Sequence, residues 1–328
     1  MLLKRRNDIN LNMNWTKNSN TRAIIAMLVA TIALSSMTVF VKIIGPNYHP
    51  IQITFLRAVI VLVILAPFIL RSGIAKVVHT QKPILHIFRA LAGAASNILY
   101  FYCYQRMSIA DVTVIGQAVP IFVCILATLF LGEKVGWRRW LAISLGFSGV
   151  VLVINPSGDI QTESLVALLA TLLFASTFLF MRVLGKTESP TTVVFYYMAI
   201  SVLVTGLAQP FVWKSLSYDF LWLMLGVGVS AAIGQMLMSY SLKNAEASII
   251  TPFKYSGILW AIIFDLVIWD LSPIFSTLLG GFIITLSGIY IFQRETKKNL
   301  NKFIIKFVMP NNFKKNNSQQ GHNNHSGS

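Results

Sequence analysis

Acidic side chains are scarce: 11 Asp and Glu stand against 27 Lys and Arg in 328 residues, and charge of either sign makes up only 12% of the chain. Soluble domains carry roughly 25% charge, so water is not the main solvent of this fold. The carboxylate shortage leaves no cluster of the kind that holds a metal or a phosphate for lipid-modifying chemistry. Cysteine is limited to Cys103 and Cys124, both inside apolar runs and without metal-type spacing, which suits reduced packing residues. Histidine is limited to His49, His79, His86 and the tail residues His322 and His325, which lack further ligands and read as solvated. The string Gly146-Phe147-Ser148-Gly149 resembles the setting of a serine nucleophile, yet a protease would need His86 brought to Ser148. A Walker-type phosphate loop is missing, so any energy must come from a gradient or from exchange.

What the chain does have is apolar length. It is 55% hydrophobic with a mean hydropathy of +0.67, and runs near the ~20 residues needed to cross a hydrocarbon core recur along it. Ten spans are expected: 23–44, 51–70, 83–104, 112–131, 137–154, 164–183, 191–212, 218–241, 248–268 and 274–293. A basic stretch, residues 1–22, precedes the first span as in a signal peptide, but the long run to Ile44 favours an uncleaved helix. Short connections with breakers such as Gly45-Pro46, Gly73, Asn155-Pro156 and Ser189-Pro190 make neighbouring spans antiparallel. Sorting the cations on that basis, with Arg138, Arg139 and Arg182 at span ends counted with the adjoining loops, puts 21 of the 27 Lys and Arg on the side of the termini, two on the other and four elsewhere inside spans. The bias places both termini in the cytoplasm. It also explains the net charge of +16 without nucleic acid, because the cations flank spans rather than forming a folded basic face. Residues 299–309 are expected to form a surface helix and 310–328 to be disordered.

A weak internal repeat runs through the spans. Ala110-Asp111 matches Ala245-Glu246, Glu133 matches Asp270, and Ser148-Gly149 matches Ser287-Gly288, at separations of 135, 137 and 139 residues. Five spans per half turn the second half upside down in the bilayer, a recurrent design for carriers. The run Ala110-Asp111-Val112 through Pro120 to Phe130-Leu131-Gly132-Glu133-Lys134, then Trp137 to Asn155-Pro156, resembles the bacterial drug/metabolite transporters built from two EamA-type repeats. Phe55-Leu56-Arg57 and Arg89-Ala90-Leu91 fit the same pattern, whereas Trp269-Asp270 and Lys254 depart from it in the second half. The resemblance covers residues 23–293 and leans toward the branch of bacterial S-adenosylmethionine uptake carriers. It implies secondary transport of a small organic solute through a cavity between the halves.

The fold class expected is therefore an all-α membrane protein of ten transmembrane helices in two inverted five-helix repeats. The divisions are a cytoplasmic basic segment 1–22, repeats 23–154 and 164–293, and a basic, partly disordered cytoplasmic tail 294–328. Apart from Arg138, Arg139, Arg182 and Asp219 at span ends beside charged or polar loops, five charges fall within spans: Lys42, Arg57, Arg89, Lys254 and Asp265. A charge at a helix centre costs ~2.5–3.5 kcal/mol on insertion scales, so each must snorkel, pair or face a cavity. Lys42, near the outer end, suits snorkelling. Arg57 and Lys254 lie about seven residues in, roughly 10 Å deep, and are expected to face a solute carboxylate or other anion, with Arg89 as a further candidate. Asp265 is eleven residues beyond Lys254, about 16 Å along the same helix, so Arg57 is its expected bridge partner; it is also the candidate for a coupling proton. Tyr100, Gln117 and Tyr196 complete the expected substrate-binding set, with tyrosines stacking an apolar part of the solute. Tyr102, Tyr104 and Tyr240, near span ends, fit an interfacial belt instead. Pro120 and Pro252 are expected hinges, since each removes a backbone donor within a span. The expected partners are a small-molecule metabolite and membrane lipid, with a homo-oligomer left open; no cofactor, catalytic group, metal or nucleic acid is expected. The expected location is the bacterial inner membrane, and uptake of S-adenosylmethionine or a related amphipathic metabolite stands beside two alternatives, export of amino acids or drug-like compounds and a non-transporting receptor or scaffold.

Overall fold

A computed structural model describes the backbone of residues 2–132, 136–154, 161–184, 187–245 and 247–308, and side chains mostly between residues 20 and 293. Glu133, Lys134, Asn155-Pro156, Glu246 and the tail from 309 lie outside the described residues. The helices are α1 (Leu2–Ile44), α2 (Pro50–Ser72), α3 (Ile74–Val78), α4 (Pro83–Tyr104), α5 (Ile109–Gly116), α6 (Val119–Leu131) and α7 (Trp137–Ile154). They continue as α8 (Thr162–Leu184), α9 (Pro190–Leu207), α10 (Gln209–Val212), α11 (Tyr218–Asn244), α12 (Ala247–Lys254), α13 (Ser256–Trp269) and α14 (Phe275–Val308). No strand occurs among the described residues. Eight stretches are long and apolar enough to cross a membrane, and Thr191–Leu207 and Phe275–Ile291 are shorter apolar helices. α1 is helical from Leu2, and α14 runs unbroken to Val308, so residues 299–308 continue the last helix and do not form a separate surface helix.

Local chemistry sets the ends. Pro50 and Pro83 occupy first-turn positions, where a missing N–H costs nothing. Ser108 caps α5 by accepting the Asp111 N–H at 3.0 Å, and Ser189 caps α9 through the Thr192 N–H at 3.1 Å. Gly132 ends α6 in the left-handed region at φ 61°, and Asp270 ends α13 the same way at φ 54°. Asp tolerates that conformation better than most side chains. The two left-handed stops are 138 residues apart, so the structural register pairs Asp270 with Gly132 rather than with Glu133.

Large apolar side chains such as Phe130, Leu145, Leu207, Phe211 and Val267 point outward, as a lipid solvent requires. Inside, helices from the two halves interlock. α1 packs along α11 and α4 along α8, while α7 packs along α14 and α2 along α9. Exchanging the halves turns the first pair into the second and leaves the other two unchanged. The α7–α14 seam is the tightest, because a Cβ on Gly149 would lie 2.8 Å from the Gly280 carbonyl oxygen and one on Gly280 would lie 2.6 Å from that of Gly149. Ser287 donates its hydroxyl to the Ala142 carbonyl across the same seam.

Candidate functional site

Two helices break in mid-span, in the same way. α5 has eight residues and α6 thirteen, and between them Gln117 and Ala118 keep right-handed helical dihedrals but tighten into a turn. The Ala118 N–H reaches the Ile115 carbonyl at 3.0 Å, so the α-helical ladder is interrupted without the chain unwinding. α12 has eight residues and α13 fourteen, with Tyr255 between them. Pro120, in the first turn of α6, has no N–H for the Gly116 carbonyl, and Pro252 lies inside α12 two residues before its end. At the offset of 138 residues between the starts of α5 and α12, Gln117 corresponds to Tyr255 and Gly116 to Lys254. The breaks also approach each other in space: a Cβ on Gly288 would meet the Tyr255 hydroxyl and lie 3.6 Å from Pro120 Cγ.

Around the breaks runs a row of rings. The Tyr100 hydroxyl pairs with Thr171 Oγ1 at 2.8 Å and lies 3.2 Å from where a Cβ on Gly116 would be. Tyr100 stacks on Tyr104 at 6.2 Å between centroids and meets Phe174 edge-on at 6.3 Å. Phe174 meets Phe178 edge-on at 5.4 Å, and the Lys254 ammonium lies 5.6 Å from the Phe178 centroid. These four rings, Lys254 and Gln117 are half-buried, not sealed in the core. Thr171, Phe174 and Phe178 were not legible as site residues, although their 3–4 spacing on one face of α8 is the trace they left in the sequence.

Asp265 anchors a second cluster. Its side chain is 1% exposed; Oδ1 accepts Lys42 Nζ at 2.7 Å and Oδ2 accepts the Ala110 N–H at 2.7 Å. The Lys42 ammonium also lies 4.4 Å from the Trp269 centroid. The expected bridge from Arg57 is thus replaced by one from Lys42, which reaches the carboxylate instead of snorkelling. Lateral packing decides: α1 lies against α13, whereas α2 lies against α9 and α11. One residue on, Asp111 accepts the Thr277 hydroxyl at 2.7 Å, so the start of α5 is tied to both α13 and α14. Tyr104, expected in an interfacial belt, packs in the apolar cluster with Val39, Ile109, Phe264 and Trp269 instead.

The other expected residues are dispersed. Arg57 is 4% exposed, with Nε unpartnered among the described residues. Arg89 donates to the Val193 carbonyl at 3.2 Å and covers the Tyr197 ring at 4.7 Å, joining α4 to α9. Tyr197 also takes a hydrogen bond from Asn97. Tyr196 stacks on His86 at 4.6 Å and donates to the Val78 carbonyl at 2.6 Å, which places it at the end of the bundle and not with Tyr100. Nearby, Glu188 accepts the Thr80 hydroxyl at 2.8 Å and the Gln81 N–H at 2.9 Å. Partial burial pushes that carboxyl upward, but the two hydrogen bonds and the neighbouring His86 and His79 outweigh it and hold it below the usual glutamate range. Ser148 is exposed and gives its hydroxyl to the Leu145 carbonyl of its own helix, while His86 stacks on Tyr196, so the G-x-S-G string is not joined to a base.

Two interrupted helices that approach each other, a row of rings and the Lys254 ammonium lie within a bundle whose eight long apolar stretches mark it as a multi-pass membrane protein. Residues 21–155 and 161–293 each match the EamA-like transporter family, and the chain belongs to that family. It is similar to the S-adenosylmethionine uptake transporter of Rickettsia bellii (strain RML369-C), at 27% identity over 271 residues, covering 82% of this chain and 93% of the relative. An uncharacterized transporter of Helicobacter pylori (strain J99 / ATCC 700824) is 27% identical over 84% of this chain and 96% of its own length. The pseudopaline exporter CntI of Pseudomonas aeruginosa is 24% identical, again over 84% of this chain and 96% of the relative. A solved crystal structure shares the fold at a TM-score of 0.59 and 14% identity, covering 85% of this chain and 98% of that one.

Proposed function

We propose that the protein takes up S-adenosylmethionine or a related amphipathic metabolite across a bacterial inner membrane by alternating access. In this reading the chain crosses ten times as two inverted five-helix halves, with both termini cytoplasmic, and the solute occupies the space where the two broken helices meet. The observation that carries it is the pair of matched breaks, at Gln117-Ala118 and at Tyr255, facing each other across Gly288. Where the helical ladder is interrupted in the bilayer, the freed backbone groups must be satisfied by neighbouring protein or line a polar cavity.

Two further observations support the topology. Packing partners exchange when the halves are exchanged. In addition, long-range polar contacts join residues that alternating spans put on one side: Gln52 with the Lys214 backbone at 2.7 Å and Asp111 with Thr277 at 2.7 Å at one end, and Thr80 with Glu188 at 2.8 Å and Ser241 with the Ala23 carbonyl at 2.6 Å at the other. The inward excess of Lys and Arg sets which end is cytoplasmic.

Lys254, Tyr100 and Gln117 face the solute in this scheme, Arg57 and Arg89 adjust the field around it, and Pro120 and Pro252 let the half-helices swing. Asp265 binds the outer ends of α1, α5 and α13 together when the outer side is closed. Uptake of labelled S-adenosylmethionine by a host expressing the chain, with competition from a metabolite panel, is the test. Lys254→Ala should cut uptake at least about tenfold, the size expected for a lost charge contact; wild-type uptake no greater than that of an empty host would sink the proposal. Likeness to the pseudopaline exporter supports a second reading, export, and accumulation in inverted rather than right-side-out vesicles would favour it.

A further inference from the structure

The charges inside the bundle do not balance, and the imbalance has a definite place. The only ion pair among the described residues is Lys42–Asp265, and both oxygens of Asp265 are occupied. Lys254, at the last turn of α12 and beside the break, has the Phe178 ring as its partner and no carboxylate among the described residues. An ammonium held this far into a helix bundle either pairs or meets charge brought from outside. The ammonium lies over the Phe178 ring of α8, which directs the charge into the row of rings.

From Phe178 the ring faces lead away from that charge in one direction, through Phe174 to Tyr100. The rings meet edge-on at both steps, Tyr100 has one face stacked on Tyr104, and all three rings are half-buried. At the far end Tyr100 is held by Thr171 and lies against Gly116, where the lack of a Cβ keeps the end of α5 close to the row. A ligand that satisfies both features has an anionic group at one end and a flat ring at the other.

We propose that Lys254 is a carboxylate seat and that Phe178, Phe174 and Tyr100 form a slot for the aromatic ring of the same solute. The seat binds amino-acid-like carboxylates attached to a purine or aryl group and discriminates against the matching amines. This deepens the transporter reading and rests on it. It goes beyond that reading by assigning each end of the solute to its own set of residues, and by bringing in Phe174 and Phe178.

The test uses full-length protein in liposomes preloaded for counterflow, with matched pairs as probes: S-adenosylmethionine against its decarboxylated amine, and tryptophan against tryptamine. The expected result is that the carboxylate of at least one pair competes about tenfold or more better than its amine. Lys254→Met should erase that preference, and Lys254→Arg should keep most of it. Phe174→Leu should weaken both members of a pair alike, since it removes ring contact and not charge. Melting curves of the purified variants, read with and without each probe, separate a lost seat from a lost fold. Equal competition by acid and amine in the wild type, or a preference that survives in Lys254→Met, overturns the proposal. If neither pair competes while other members of a metabolite panel do, the seat is wrong and the carrier reading stands. If wild-type liposomes move no solute at all, the carrier reading itself fails and takes this inference with it.

Discussion

Cutting the Lys42–Asp265 pair from its two sides should give unequal losses. At 2.7 Å the attraction is about 6 kcal/mol with an effective dielectric constant near 20, before desolvation is subtracted. Side-chain exposure is 11% for Lys42 and 1% for Asp265. Lys42→Met therefore strands a carboxylate that has one remaining donor, the Ala110 N–H, and no path to water. A buried charge left without its partner costs ~3–5 kcal/mol, and the upper half of that range is expected here. Asp265→Asn should cost less, about 1–3 kcal/mol, because asparagine still accepts the Ala110 N–H and the freed ammonium can follow its long stem toward the boundary. The double variant Lys42→Met with Asp265→Asn removes both charges and should lose clearly less than the two singles together, with a coupling energy of about 1–3 kcal/mol. Denaturation midpoints of the purified protein in one detergent, with slopes checked for constancy, give all three values. Equal losses for the two single variants, or additivity in the double, would refute the pair as a buried, partner-dependent contact.

The breaks themselves can be tested with Pro120→Ala, which returns a donor to the Gly116 carbonyl; turnover in liposomes should fall severalfold with KM little changed, while thermal stability stays level or rises. Gly149→Val should overpack the seam against the Gly280 carbonyl and cost ~1–3 kcal/mol or more, read as a lower melting temperature and poor yield. Glu188, whose folded carboxyl is held below the ordinary value of 4.5, contributes stability that is present above that value and fades as pH falls through the lower, folded one. Glu188→Gln should accordingly melt slightly lower than wild type at pH 7, and the gap should close as pH falls through the lowered value of the folded carboxyl; at a partly exposed site it stays under about 1 kcal/mol.

Much of the framework was readable before any coordinates, and for a physical reason: a lipid solvent writes itself into every span as continuous apolar length. The repeat was readable too, though off by one residue at Asp270, because charge type suggested Glu133 as its match whereas backbone conformation pairs it with Gly132. The site was less legible. Depth along a straight helix can be counted from sequence, so Arg57 and Asp265 fell at one level, but depth says nothing about which helix lies alongside. Lys42 took the carboxylate because α1 is the neighbour. Phe174 and Phe178 escaped notice because two phenylalanines in an apolar span carry no contrast. Tyr196 was grouped with Tyr100 on residue type, and its bond to Val78 places it elsewhere.

The glycine-lined contact between α7 and α14 has a mechanical consequence. With backbone touching backbone at Gly149 and Gly280, these two helices cannot slide or roll past each other without collision, and Ser287 pins them further. They form a fixed spine shared by both halves of the chain. In the proposed alternating-access cycle the displacement must then be taken up by lighter pieces hung from that spine, and the eight-residue α5 and α12 are short levers for it.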